Sequence, residues 1–169
     1  PPPPPPSGSL SEAVDSTLDL ATGGNADWFY QTTTFYYDGD AAQSGAITHN
    51  QQSWMQTTVD GPGTLSFYWK VSSEGDYDFL EFYVDGVRQS RISGSADWNQ
   101  MSYNLPSGSH TLVWRYVKDG SVNSGSDCGW VDKVEWTPGG GPPPPPPPPP
   151  SGSLSEAVDS TLDLATGGN

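Results

Sequence analysis

Cysteine is almost absent. Cys128 is the only one in 169 residues, so no disulfide can form within the chain. Lysine and arginine together number six against 20 acids, for a formal net charge of −14. Such a surface repels phosphate backbones and anionic bilayers, which argues against nucleic acid and membrane insertion as partners. No apolar run approaches the roughly 18–20 residues of a membrane span. There is no Gly-rich phosphate loop, HExxH or GxSxG motif, and His49 and His110 stand 61 residues apart without ligand spacing. No enzyme is expected. An N-x-S/T sequon is also missing, which confines any glycosylation to Ser, Thr or hydroxylated Pro. Helical periodicity is nearly absent too, with Leu10–Val14 the one stretch that suits a helical turn.

What the chain does have is repetition. Residues 151–169, SGSLSEAVDSTLDLATGGN, reproduce residues 7–25 letter for letter, and a proline run precedes both copies. A fixed offset of 144 residues, far above solenoid periods, predicts a tandem array of independently folding units. The expected organisation is the end of a linker at 1–6, a module at 7–141, a linker at 142–150 and the start of the next repeat at 151–169. The unit alone carries −11, once Glu156, Asp159 and Asp163 of the second copy are set aside. Nine consecutive prolines lack N–H donors and have φ fixed near −65°. They predict a stiff polyproline II rod of about 28 Å. Module plus rod give an expected axial repeat of roughly 70–80 Å.

Within the module the dominant period is two. Leu65, Phe67, Trp69 and Val71 alternate with Ser66, Tyr68 and Lys70. Leu80, Phe82 and Val84 alternate with Glu81 and Tyr83, before an Asp85-Gly86 hairpin turn into Val87–Ile92. Met101–Leu105, Leu112–Tyr116 and Trp130–Trp136 read as further strands, with Ser53–Asp60 and Ala46–Asn50 earlier. Many short strands separated by Gly, Pro and Asp turns predict an all-β antiparallel sandwich. Trp69, Trp114, Trp130 and Trp136 are expected in its core. Leu10, Val14, Leu18 and Leu20 are expected to pack as a first strand on the module that follows them.

The segments GPGTLSFYWKVSSEGDYDFLEFYVDG, SADWNQMSYNLPSGSHTLVWRYVKDGSV and GSDCGWVDKVEW, with ATGGNADWF and DGDAAQSGAITHNQQSWMQTTV upstream, resemble a family of bacterial-type extracellular β-sandwich modules. These are similar to the jelly rolls of MAM and cleaved-adhesin domains. The resemblance implies a jelly-roll-like fold and an extracellular or cell-surface setting, with adhesive, structural or accessory roles. The uniform proline runs resemble the hydroxyproline-rich glycoproteins of algal and plant walls. That likeness implies O-glycosylation at Pro142, Pro143, Pro144, Pro145, Pro146, Pro147, Pro148, Pro149 and Pro150, with Ser151 beside them.

Asp132 alternates with Trp130, Val134 and Trp136, so inward tryptophans would carry its carboxylate inward. A buried carboxylate needs partners. These are backbone N–H groups of a loop, an ion pair with Arg115 or Lys133, or a structural Ca²⁺ shared with Asp76, Asp78 or Asp38, an ion that the resemblance also implies. Tyr36, Tyr37, Tyr68, Tyr83 and Trp98 are candidates for an exposed row that stacks on sugar rings. Cys128 is either a small half-buried residue or one half of a disulfide to a neighbouring chain. The function expected first is a structural repeat of an extracellular filament or stalk, its partners identical repeats joined head to tail. The alternative is a carbohydrate-binding or adhesive module of a long surface adhesin, with glycans as partners.

Overall fold

The computed structural model describes residues 8–139. The expected linkers, the glycosylation candidates Pro142–Pro150 and Ser151, and the second copy of the repeat lie outside the described residues. One helical turn, α1 (Leu10–Ala13), precedes eight strands. These are β1 (Ala21–Gly24), β2 (Phe29–Gln31), β3 (Ala41–Gln43), β4 (Gln52–Ser72), β5 (Phe79–Val84), β6 (Val87–Ser93), β7 (Ser95–Val117) and β8 (Cys128–Pro138). Among the described residues no helix is long and apolar enough to cross a membrane.

Two of the strands organise everything else. β4 and β7 pair antiparallel along nearly their whole length, with a register shift where Gly61–Gly63 meets Leu105–Gly108. Both strands turn there and pass from one sheet into the other. The first half of β4 pairs with β1 and with the second half of β7, which β5 and then β6 extend. The second half of β4 pairs with the first half of β7 and with β8, which β3 and β2 extend. The two halves lie face to face. Phe67, on the second half of β4, meets Phe82 of β5 at 4.9 Å and Trp114 of β7 at 5.4 Å between ring centroids. The fold is an antiparallel jelly-roll-like β-sandwich. The expected strands Ser53–Asp60 and Thr64–Ser73 are thus one bent strand, because Gly-Pro-Gly turns the chain without ending its pairing.

The period-two reading holds inside the sandwich. Leu65, Phe67, Trp69, Leu80, Phe82, Leu112, Trp114 and Tyr116 are all fully buried. Asp85 (φ 51°) and Gly86 (φ 82°) form the expected turn, both in the left-handed region that a type I′ hairpin demands. Ala46–Asn50 is loop instead of strand. The segment before β1 also departs from expectation. Ser9 accepts a hydrogen bond from the Glu12 N–H, and the Glu12 side chain accepts one from the Ser9 N–H. This reciprocal cap closes the helical turn that Leu10–Val14 suited, so the segment packs through that turn and not as a first strand. Ala13 and Val14 are buried, Leu10, Leu18 and Leu20 pack against the core, and the Val134 N–H donates to the Val14 carbonyl at 2.8 Å. This copy of the repeated segment therefore packs on the module that follows it.

β8 carries the other correction. Its pairing with β4 slips between Ser66 and Tyr68, and Lys133 stands at φ 50°. That bulge splits the expected face in two. Val131, Val134 and Trp136 join the core, while Trp130 and Asp132 turn to the outer side of the second sheet. Trp130 is buried there all the same, and its indole N–H donates to Gln43 Oε1 at 2.9 Å.

Candidate glycan-binding faces and a candidate cation site

The outer face of the first sheet is a grid fixed by strand register. Gly23, Trp54, Arg115, Glu81 and Arg91 stand opposite one another across β1, β4, β7, β5 and β6. The next row outward-facing is Gln56, Val113, Tyr83 and Arg88. At a strand spacing of about 4.8 Å the first row spans about 19 Å. A Cβ on Gly23 would meet the Trp54 ring at 2.5 Å, so only glycine lets the indole lie across β1. Glu81 is buried beneath the face and anchors its neighbours. Arg115 donates to Glu81 Oε1 from Nε at 3.0 Å and Nη2 at 2.6 Å, and Nη2 also meets the Tyr83 hydroxyl at 2.9 Å. The Tyr83 hydroxyl donates to Glu81 Oε1 at 2.8 Å, and Arg115 Nη1 reaches Gln52 Oε1 at 3.1 Å. Burial and the Glu81 carboxylate raise the Tyr83 pKa, so the phenol stays neutral. Trp54, Tyr83, Gln52, Gln56, Val113 and Arg115, with Gly86 at the hairpin tip, line a groove of about 310 Å³. Two aromatic rings beside amides and a guanidinium are the elements that sugar recognition uses: apolar ring faces for C–H surfaces, polar groups for hydroxyls.

The second sheet bears the other aromatics. Tyr36 stacks on Tyr68 at 3.8 Å and 13°, and Trp98 tilts against Tyr36 at 6.1 Å. Lys133 Nζ lies 4.1 Å from the Tyr37 ring centroid. The expected row is therefore divided. Tyr36, Tyr37, Tyr68 and Trp98 share one side of the sandwich, and Tyr83 is on the other with Trp54. Tyr36 and Tyr68 cover one face of each other, while Tyr36 and Tyr37 are each 46% exposed. Sequence reading had not singled out Trp54. Its signal was the alternation in Ser53–Asp60, which puts it with Gln52, Gln56 and Thr58, opposite Met55 and Val59.

Asp132 holds the loop that carries Tyr36 and Tyr37. Its Oδ2 accepts from both backbone N–H groups at 2.8 Å and its Oδ1 from the Lys133 N–H at 2.7 Å. Of the partners foreseen for it, these are loop N–H donors. Asp15 (φ 57°), at the end of α1, approaches Asp132, and the carboxylates of Asp15, Asp38 and Asp40 lie within 4.8 Å of one another. Burial, then the charges of Asp132, Asp40 and Asp38, push the Asp15 carboxyl up to about 7. Asp15 Oδ2 and Asp40 Oδ1 are buried without a hydrogen-bond partner. Converging carboxylates with unpartnered oxygens fit a hard divalent cation, and Ca²⁺ in particular. Asp78 lies elsewhere, near Glu74 and Asp119. A cation is already supplied there, since Lys118 Nζ sits 3.0 Å from Asp78 Oδ2 and bonds Asp127 as well. Asp76 is exposed and joins neither group. Cys128 is buried, and burial with the Asp127 charge pushes its thiol up to about 12.

No family model matches this chain, and no curated protein matches it. Solved structures do. The K3 cleaved adhesin domain of Lys-gingipain from Porphyromonas gingivalis aligns at 13% identity and TM-score 0.54, over 71% of this chain and 91% of that one. TmCBM61, solved in complex with β-1,4-galactotriose, aligns at 10% identity and TM-score 0.52, over 77% and 94%. The secreted serine protease VesC from Vibrio cholerae aligns at 14% and TM-score 0.53, over 66% of this chain and only 24% of its own length. At such identities the likeness shows a shared β-sandwich fold.

Proposed function

We propose that this module binds glycan on the outer face of its first sheet and serves as an adhesive repeat in an extracellular array. The carrying observation is the groove of Trp54, Tyr83 and Gln56, with Gln52 and Arg115 hydrogen-bonded in place before any ligand arrives. An adhesin domain and a carbohydrate-binding module of the same fold support the reading. The module binds and does not cleave. Asp15, Asp38 and Asp40 would hold Ca²⁺, whose charge ties the end of α1 to the β2–β3 loop. The verbatim 19-residue repeat favours a second, compatible role as the recurring unit of a filament.

Affinity electrophoresis against a panel of soluble polysaccharides tests the binding role. The wild-type chain is expected to be retarded by at least one, with no product released. Trp54→Ala should weaken that binding about fivefold or more, since stacking on one aromatic face contributes about 1–3 kcal/mol. Equal retardation of wild type and Trp54→Ala would exclude the groove.

A further inference from the structure

The six basic residues of this acidic chain are not spread evenly. Lys118 is buried between Asp78 and Asp127, Lys70 pairs with Asp97, and Lys133 pairs with Glu135. Each lysine has at least one carboxylate. All three arginines, in contrast, stand on the outer face of the first sheet, at Arg88, Arg91 and Arg115. Two of them share a single carboxylate, Glu81, which Arg115 approaches at 2.6 Å and Arg88 at 3.4 Å. Arg91 has no acidic partner among the described residues. Its guanidinium lies over the Phe79 ring at 3.9 Å, which fixes the plane of the fork and leaves its N–H groups for a ligand. The face therefore carries a local excess of positive charge in a module whose net charge is −11. It adjoins the Trp54–Tyr83 groove in the same cross-strand rows.

We infer that the glycan taken by this face is anionic, a uronate-containing polysaccharide whose carboxylates meet Arg91 and Arg88 while its rings lie on Trp54 and Tyr83. This rests on the glycan-binding reading and adds the substrate class. A planar guanidinium matches a carboxylate through two parallel N–H···O bonds. The roughly 19 Å row from Gly23 to Arg91 lets one chain touch both the aromatic and the cationic ends. The acidic remainder of the surface repels polyanions that lack this register, so the face selects by geometry as well as by charge.

The test compares polygalacturonate with its fully methyl-esterified form, which keeps the backbone and removes the charge, and with dextran sulfate. Binding to the 169-residue chain is followed by isothermal titration calorimetry at low and high NaCl. Polygalacturonate is expected to bind at least tenfold tighter than the ester and to weaken as salt rises. Arg91→Gln should reduce that affinity about tenfold, the loss of one charge-assisted contact, and reduce affinity for the ester by a smaller factor. Arg88→Gln provides a second variant at another exposed position. Equal affinity for acid and ester would overturn the anionic inference while leaving glycan binding intact. Binding to dextran sulfate alone would overturn the uronate assignment, and no binding to any of the three would overturn it together with the groove's preference for such backbones.

Discussion

Individual side chains divide into those that build the sandwich and those that point away from it, and a few do neither in the way their neighbours suggest. His110 is one. Its Nδ1 lies 2.7 Å from Asp85 Oδ2 and its Nε2 lies 2.8 Å from the Pro106 carbonyl. Both partners are acceptors, so only the imidazolium satisfies both. The hydrogen bond to Asp85, then that to Pro106, raise the His110 pKa above its ordinary value. The same contact with His110, then the Thr111 N–H, lower that of Asp85. A raised histidine contributes stability that is complete below its unfolded pKa of about 6.5 and fades as pH rises through the folded value. The lowered Asp85 contributes above its unfolded pKa of about 3.9 and loses that contribution as pH falls. The pair should therefore stabilise most between about pH 4 and 6.5. Urea unfolding of wild type and His110→Gln is expected to show a wider stability gap at pH 5.5 than at pH 9. Equal gaps would show that the histidine is not charged in the folded state. Trp54 and Asp15 mark the limit of reading single residues from sequence. Trp54 resembles the core tryptophans until its register places it outward, and Asp15 gains its role only when α1 carries it to Asp132.

At the level of elements, alternation found most strands and the Asp85-Gly86 turn, because inward and outward residues differ sharply along β4, β5 and β7. Alternation could not show that two pairs of expected strands are continuous, since Gly61-Pro62-Gly63 and Pro106-Ser107-Gly108 read as breaks when taken alone. It also could not show the bulge at Lys133. One residue at positive φ reverses which side Asp132 faces, and no composition signal marks it. That reversal decides the candidate cation site, where α1, the β2–β3 loop and β8 bring four aspartates together. Ca²⁺ at a hundredfold excess over its Kd should stabilise the module by about 2.7 kcal/mol, which EDTA should reverse. Asp15→Asn removes one of the clustered like charges at constant shape. It is expected to raise the melting temperature without calcium and to abolish the response to it. A calcium response that survives Asp15→Asn would remove Asp15 from the site.

The molecule as a whole presents two unlike faces on one sandwich. The second sheet turns outward a self-stacked tyrosine pair beneath an Asp132-held loop. The first turns outward a ring-and-amide groove beside all three arginines. The sandwich was legible as a fold because burial is periodic in the sequence. The division of aromatics between faces was not, since it depends on which sheet each half of β4 and β7 enters. The first face is the one proposed to take glycan. The most direct measurement is a ¹⁵N-resolved NMR titration of the chain with the polysaccharide that binds it best. Shifts are expected at the Trp54 indole N–H and the backbone amides of Gly23, Gln52, Gln56, Tyr83 and Arg91, with Tyr36, Tyr68 and Trp98 unmoved. Shifts confined to Tyr36, Tyr68 and Trp98 would contradict the account and move the binding site to the opposite sheet.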